Sequence, residues 1–258
     1  MNIVVLVKQV PDSGSERSLA GDNTVERQSA NNVINEMDEY AIEEALKIQE
    51  AHGGEVTILT MGPERATESI RKALSMGPDK AVHVLDDALH GSCAVATSKV
   101  LAAALGTLNP DIVIAGAEST DGRVQVLPHM IAERLGVAAL TGARKLTVDG
   151  GTLTIERQTE EGYEVVTAAT PAVVSVWDTI NEPRYPSFKG IMAAKKKPVQ
   201  TLALADLGVD AGDVGFAGAT SEVVEHAKRP PRSGGQKVTD DGNGGVALVE
   251  FLSSEKFV

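Results

Sequence analysis

Short apolar runs that alternate with amphipathic segments constrain the fold of this chain more than any other feature. The runs lie at residues 2–7, 55–61, 81–85 and 111–116, and each is followed by apolar residues at helical spacing. Parallel strands covered on both faces give continuous apolar runs of this kind, and right-handed crossovers join them. We therefore predict an α/β fold with a doubly wound parallel sheet over residues 1–180.

The pattern changes after Gly136, where two turn signals, Asp149-Gly150 and Glu161-Gly162, separate segments with alternating polarity. This arrangement predicts an antiparallel hairpin inserted at about residues 140–170. The apolar run Ala172–Val176 is predicted to return to the main sheet.

Composition excludes several classes of function. The chain of 258 residues has a formal net charge of −12, which disfavours nucleic acid as a partner. Its single cysteine, Cys93, allows no disulfide within the chain and no cysteine metal site, and is expected to pack in a helix. The N-terminal apolar run is too short for a leader or a membrane span, and we expect a cytoplasmic bacterial protein.

Residues 181–200 are predicted to project from the sheet as neither helix nor strand. Pro183 and Pro186 each remove a backbone donor and restrict the chain. Phe188 would either cover the core or fill a partner's pocket. The lysines at 195–197 form either a solvated face or an attractive patch for an acidic partner.

Residues 201–258 are rich in proline, glycine and charge, with a short terminal helix predicted from Val246. Two interpretations remain open for this segment. It is either an extended arm that packs on a partner subunit or a disordered tail.

The strand ends point to an anion site. In a doubly wound sheet, ligands bind beyond the carboxyl ends of the strands. The stretch AESTDGRVQ follows the strand at 111–116 and supplies small and hydroxyl residues just before a helix. It is either a nucleotide phosphate site or an ordinary capped turn.

Motifs for catalysis are absent from the sequence. It contains no GxxxxGKS, no GxGxxG after the first strand, no histidine pair at metal spacing and no nucleophile with a neighbouring base. The chain is therefore expected to bind a nucleotide without transforming it, and whether it is an enzyme in its own right stays open.

The most specific stretch is INEPRYPSFKGIMAAKKK, together with VLVKQVPD, VINEMDEYAIEEALKI, TMGPERATESIRKALSMGPDKAVHV, VIAGAESTDG and PAVVSV. At these residues the whole chain resembles the β subunit of electron transfer flavoprotein. The resemblance implies an adenine-nucleotide alpha-hydrolase-like fold and a heterodimer with an α subunit that holds most of a redox-active FAD. It also implies a carrier without substrate turnover of its own, which takes electrons from acyl-CoA and other dehydrogenases and passes them to a membrane quinone reductase.

The resemblance also assigns sites by position. The implied AMP site comprises Leu6, Asn35, Glu36, Met37, Asp38, Met61, Gly116, Ala117, Glu118, Ser119, Thr120, Asp121, Gly122, Arg123, Val124, Gln125, Val126 and Leu127. Ser13 and Met37 match positions near the partner-bound FAD. The implied dehydrogenase recognition residues are Glu164, Pro183, Arg184, Tyr185, Phe188, Ile191, Met192 and Lys195.

This chain departs from the family pattern at several of these positions. Phe188 replaces the usual anchoring leucine, which implies a differently shaped pocket on the dehydrogenase. Residues 123–125 and the pair Glu36-Met37 also differ from many members. Arg123 is expected to pair with phosphate or with Asp121.

Two alternatives remain. An electron-bifurcating member would hold a second FAD in place of AMP, and Glu36 argues mildly against that second flavin. A free-standing nucleotide-binding module of the stress-protein type would share the sheet but would have no need of the 181–200 segment.

Overall fold

The computed structural model describes residues 1–232, 234–235 and 237–258. It divides into two compact units, Met1–Val224 and Glu225–Val258. Its strands are β1 (Asn2–Leu6), β2 (Gln9–Pro11), β3 (Asn32–Ile34), β4 (Glu55–Met61), β5 (Lys80–Val84), β6 (Ile112–Gly116), β7 (Ala138–Asp149), β8 (Thr152–Gln158), β9 (Tyr163–Ala169), β10 (Ala172–Val176) and β11 (Val199–Leu202). Its helices are α1 (Glu36–His52), α2 (Thr67–Met76), α3 (Ala94–Leu108), α4 (Leu127–Leu135), α5 (Phe188–Ala194) and α6 (Gly244–Ser254).

The first unit is built on one large sheet. Among the described residues, nine strands form it in the order β11-β5-β4-β1-β6-β10-β7-β8-β9. The pairs from β11 to β7 are parallel. The chain leaves β1 toward β4 on one side and later returns to β6 on the other. The predicted doubly wound α/β fold is therefore confirmed, and its switch point lies between β1 and β6.

Apolar side chains on both faces of the sheet hold its helices. In β1, Ile3 and Val5 join the core formed with α1 and α2, whereas Val4 and Leu6 join the core formed with α3 and α4. All four are at most 7% exposed. Because successive side chains of a strand point to opposite faces, a run of apolar residues covers both layers.

The predicted hairpin is present, but it continues the main sheet. β7 pairs in parallel with β10 along its first half and antiparallel with β8 along its second half. β9 then pairs antiparallel with β8 and forms the far edge. β7 begins at Ala138, earlier than the alternation alone indicated.

Three local predictions were wrong. Phe188 begins a helix, since Ser187 Oγ accepts a hydrogen bond from Gly190 N at 3.0 Å and caps it. β11 lies in a region predicted to be non-repetitive, where it extends the sheet next to β5. Cys93 precedes α3 rather than packing inside it, and it is half-buried, with Sγ 3.5 Å from Thr220 Oγ1.

The second unit, Glu225–Val258, contains α6 (Gly244–Ser254), which overlaps the terminal helix predicted from Val246 but begins before it. Asp240 Oδ1 accepts hydrogen bonds from Gly242 N and Gly244 N at 2.9 Å and shapes the turn before this helix. The apolar side chains of α6 at Val246, Val249 and Phe251 are exposed. Packing of this segment on a partner remains a prediction. Within the described ranges, no helix is long and apolar enough to cross a bilayer.

Candidate functional site

The carboxyl ends of β1 and β6 meet at the switch point, where the β6–α4 loop (residues 117–126) begins. Gly116, the last residue of β6, lies directly against the first turn of α1. A Cβ at this position would be 2.6 Å from Met37 Cβ and 2.7 Å from Asp38 Oδ1. Only glycine lets the strand end and the helix start approach this closely.

Asn35 joins the start of α1 to the loop. Its Nδ2 donates to Glu118 O at 3.0 Å and to Asp38 Oδ1 at 2.9 Å, and its Oδ1 accepts from Thr120 N at 3.1 Å. Asn35 is 1% exposed. With both ends of its amide satisfied, this side chain fixes the first half of the loop.

Asp38 is the buried carboxyl of this cluster. Its Oδ2 accepts from Lys8 N at 2.8 Å, so it also fixes the chain that leaves β1. Burial raises the pKa of Asp38 to about 7, although hydrogen bonds from Asn35, Lys8 N and Gly116 N oppose the rise. This carboxyl therefore titrates in the neutral range.

Asp121 has the opposite electrostatics. Its side chain is 1% exposed and pairs with Lys8 Nζ at 2.8 Å and with Arg27 Nη2. Burial alone would raise the pKa of Asp121, but the two cations outweigh it and hold the pKa well below the usual range. The structure thus pairs Asp121 with Lys8 and Arg27 rather than with Arg123.

The outer half of the loop, residues 122–126, is exposed and has unusual backbone angles. Arg123 and Gln125 have φ of 49° and 58°, in the left-handed region. Val126 follows with φ −94° and ψ −11°, and α4 begins at the next residue. A left-handed residue followed by a right-handed one just before a helix is a backbone arrangement that can form an anion-binding concavity.

One polar atom inside the loop is unsatisfied. Thr120 Oγ1 is buried and has no hydrogen-bond partner among the described residues. Buried hydroxyls are normally paired, so an orphan of this kind indicates a missing partner such as a bound ligand or water.

The other residues assigned by resemblance lie at the same edge or beside it. Leu6 is buried near the end of β1, and Met61 ends the adjacent strand β4. Ser13 Oγ donates to Glu36 Oε1 at 3.1 Å, which places Ser13 beside the start of α1 with Met37.

Sequence reasoning missed the cations around this loop. Lys8 Nζ also donates to Ser119 Oγ at 3.2 Å, and Arg17 donates to Thr120 O. Lys8 follows the first strand, so its position at the strand edge was a usable signal. Arg17 and Arg27 lie in the polar stretch before β3, and nothing in their sequence context indicated this role.

The second set of assigned residues, apart from Glu164, lies on α5 or next to it in the chain. Three apolar side chains at helical spacing, Phe188, Ile191 and Met192, are 79%, 46% and 49% exposed, and Tyr185 before the helix is 92% exposed. Phe188 therefore does not cover the core. We call Tyr185, Phe188, Ile191 and Met192 the exposed apolar row.

The lysine run after α5 divides into two environments. Lys197 Nζ donates to Leu74 O at 3.0 Å and to Gly77 O at 2.7 Å, so it caps the carboxyl end of α2. Lys195 and Lys196 are exposed beside the apolar row. Of this run, Lys195 and Lys196 can contribute to a basic patch, together with Lys189, which is exposed on α5 itself.

Glu164 lies far along the sheet from α5, on the edge strand β9. Its side chain is exposed, and its Oε2 is 3.6 Å from Arg157 Nη1. Arg157 is itself fixed, since its Nε donates to Thr141 O at 2.9 Å. Across the described ranges, no group of three or more histidine, cysteine, aspartate or glutamate residues is arranged to hold a metal ion.

Comparison with known proteins places this architecture in a family. Residues 22–207 match the model of the electron transfer flavoprotein domain. The electron transfer flavoprotein subunit β of Mycobacterium leprae is 53% identical over 264 aligned positions, which cover 100% of this chain and 99% of the relative. The subunit of the same name from Thermoanaerobacterium thermosaccharolyticum is 38% identical, with 100% of both chains covered. Protein FixA of Azorhizobium caulinodans is 38% identical, with 81% of this chain and 78% of the relative covered. Because the similarity to the β subunits extends over the whole chain, the sequence predicted the family correctly, and this chain is a β subunit of the electron transfer flavoprotein family.

Proposed function

We propose that this β subunit, together with its α subunit, carries electrons from acyl-CoA and other dehydrogenases to a membrane quinone reductase. It docks the dehydrogenase through residues 181–197 and holds one AMP at the switch point. The observation that carries the docking proposal is the exposed apolar row on α5. Large apolar side chains in a fixed, solvent-facing group are typical of interface anchors.

Two features of the β6–α4 loop support AMP binding there. Thr120 Oγ1 is a buried hydroxyl without a hydrogen-bond partner among the described residues, and Arg123 and Gln125 adopt left-handed backbone conformations just before α4. Lys8 and Arg27 share the single carboxylate of Asp121, so this group of three side chains keeps a net positive charge. Backbone amides and the Thr120 hydroxyl would bind the phosphate beside this positive charge, with Arg123 available at the exposed side.

FAD, held mainly by the α subunit, would supply the redox chemistry. In this chain Ser13 and Met37 would lie beside the flavin, and the Ser13–Glu36 hydrogen bond fixes Ser13 for that contact. The exposed carboxylate Glu164 would steer the mobile flavin domain during transfer, with Arg157 holding it in place. Neither role requires a proton transfer by this chain. We also propose a cytoplasmic location.

The nucleotide proposal is tested by releasing what the heterodimer holds. The chain is co-expressed with its α subunit, the complex is denatured, and nucleotides are quantified by chromatography. One FAD and one AMP per heterodimer supports the proposal. Two FAD and no AMP would contradict it and identify an electron-bifurcating member with a flavin in the same loop.

The docking proposal is tested with Phe188→Ala in the same heterodimer. The KM of a purified acyl-CoA dehydrogenase for the variant heterodimer as electron acceptor should rise, while the FAD and AMP contents stay at the wild-type values. An unchanged KM would remove the docking role of α5.

A further inference from the structure

Arg184 lies within the assigned recognition stretch, but its guanidinium points at helix α1. Its Nε and Nη2 donate to Glu43 Oε2 and Oε1 at 2.7 and 3.0 Å, and its Nη1 donates to Glu50 Oε1 at 2.6 Å. Its backbone N also donates to Glu43 Oε2, at 3.1 Å. These hydrogen bonds raise the pKa of Arg184 further above its usual value, so the side chain is a permanent cation.

A neighbouring side chain makes the same connection. Asn181 Nδ2 donates to Tyr40 O at 3.1 Å and to Glu44 Oε2 at 3.0 Å. Residues 181 and 184 are therefore both fixed to α1, just before Tyr185 and the exposed apolar row.

The other end of the segment is fixed to α2. Arg71 Nη1 donates to Ala194 O at 2.7 Å and to Lys197 O at 2.8 Å. A Cβ at Gly190 would lie 2.5 Å from Ser75 O, so α5 packs on α2 as closely as its backbone allows. The segment that carries the exposed apolar row is thus fixed to α1 at one end and to α2 at the other.

We propose that Arg184 is a positioning residue for docking: through Glu43 and Glu50 it sets where the exposed apolar row stands, and it does not itself contact the dehydrogenase. This inference rests on the proposed function of that row. It differs from the role implied by resemblance, in which Arg184 belongs to the contact surface.

The burial of Glu43 supports this assignment. Its side chain is only 9% exposed, and among the described residues its carboxylate forms an ion pair only with Arg184. Paired donation from a planar guanidinium fixes direction as well as distance, which a lysine cannot reproduce. A row held in one orientation before binding avoids the entropy that a mobile loop would lose on docking.

The test is a double-mutant cycle in the purified heterodimer. The KM and kcat are measured with a purified acyl-CoA dehydrogenase as donor for Arg184→Lys, Glu43→Gln and the double variant. Arg184→Lys keeps the charge that a partner would sense, and Glu43 is too buried to touch a partner. We expect each single variant to raise KM about tenfold with little change in kcat, because misplacement of a docking group weakens association. The double variant should be no worse than either single one.

Two results would overturn the positioning role. One is a normal KM for Glu43→Gln beside a raised KM for Arg184→Lys, which would make Arg184 a direct contact. The other is an additive loss in the double variant. Lys99→Gln, which removes the ion pair between Lys99 on α3 and Asp213, is the matched control and should leave KM unchanged.

Two further measurements keep the result interpretable. If Glu43→Gln does not assemble with the α subunit, Glu50→Gln replaces it, with the same direction and a smaller rise in KM expected. Phe188→Ala is measured alongside. A normal KM for Phe188→Ala removes the docking proposal itself, whereas a raised KM for Phe188→Ala with normal values for both Glu43→Gln and Arg184→Lys removes only the role of Arg184.

Discussion

In both the β6–α4 loop and the 181–197 segment, ion pairs between charged side chains fix the chain. The exposed surface is polar in the loop and mainly apolar in the segment. In the loop, Asp121 is buried between Lys8 and Arg27, and the exposed residues 122–126 include the polar side chains of Arg123 and Gln125. In the segment, Arg184 is fixed by Glu43, and the outward face is apolar. In both regions the ion pairs fix the chain, and other side chains are left exposed to a ligand. A charged residue in a recognition motif is therefore not by itself a contact residue.

The largest effect is expected at the packed base of the loop, from Gly116→Ala. The added Cβ would overlap Met37 and Asp38, and neither α1 nor β6 can move without disturbing the core. Overpacking of this kind costs about 3 kcal/mol of unfolding free energy. The free energy of unfolding measured in urea and the AMP content should both fall.

Gly106→Ala in α3 is the control for that substitution. An alanine there meets no atom within 4 Å, so stability should be equal or about 0.5 kcal/mol higher. If Gly116→Ala kept the stability and nucleotide content of the wild type, the close approach of α1 and β6 would not be required.

Phe188→Ala, in the 181–197 segment, should weaken docking and leave stability unchanged. The side chain is 79% exposed, so unfolding free energy should be unchanged. Loss of a docking anchor costs about 2 kcal/mol of association free energy, which corresponds to roughly a thirtyfold rise in KM. Val95→Ala, a partly exposed apolar side chain on α3, should leave KM unchanged. If Phe188→Ala lost stability without a change in KM, Phe188 would be a packing residue rather than a docking anchor.

A third effect is a pH dependence with opposite signs at two buried carboxyls, Asp38 at the start of α1 and Asp121 in the loop. Because burial raises the pKa of Asp38 to about 7, the folded state binds more protons than the unfolded state between about pH 4 and pH 7. The Asp38 contribution to stability is therefore lost as pH rises through 7. Asp121, whose pKa is lowered by Lys8 and Arg27 against the effect of burial, contributes stability that is lost as pH falls below its unfolded value.

Urea unfolding at pH 6 and pH 8 measures the Asp38 effect. Stability should decrease by about 1 kcal/mol over this interval in the wild type, and Asp38→Asn should remove most of the slope. Asp121→Asn should leave the slope between pH 6 and pH 8 as it is. An equal slope in wild type and Asp38→Asn would mean that Asp38 is ionised throughout this range.

Local patterns in the sequence predicted much of the fold and the position of the nucleotide loop. Apolar runs such as Ile112–Gly116 are determined by burial on both faces, and they appear directly in the sequence. Loop residues such as Ser119 and Thr120 follow such a run, so the topology places them at the switch point. The family assignment rested on the longer stretch around Phe188.

What the sequence left out depends on tertiary contacts. Arg27 reaches Asp121 across 94 residues, and Arg184 reaches Glu43 across 141, so no local pattern connects either pair. The helix at Phe188 was missed because two prolines indicated an extended chain, whereas Ser187 caps a helix that begins after them.

The smallest expected effects lie within the lysine run, and they separate its two environments. Lys197→Gln removes the cap on the carboxyl end of α2 and should lower unfolding free energy by about 0.5 kcal/mol, with no change in the salt dependence of KM. Lys195→Gln should leave stability unchanged and raise KM roughly twofold at low ionic strength, with the difference lost at high salt because exposed charges are screened. If Lys197→Gln instead altered the salt dependence of KM, Lys197 would belong to the docking surface. The lysine run would then not divide into one residue that fixes the chain and two that face a partner.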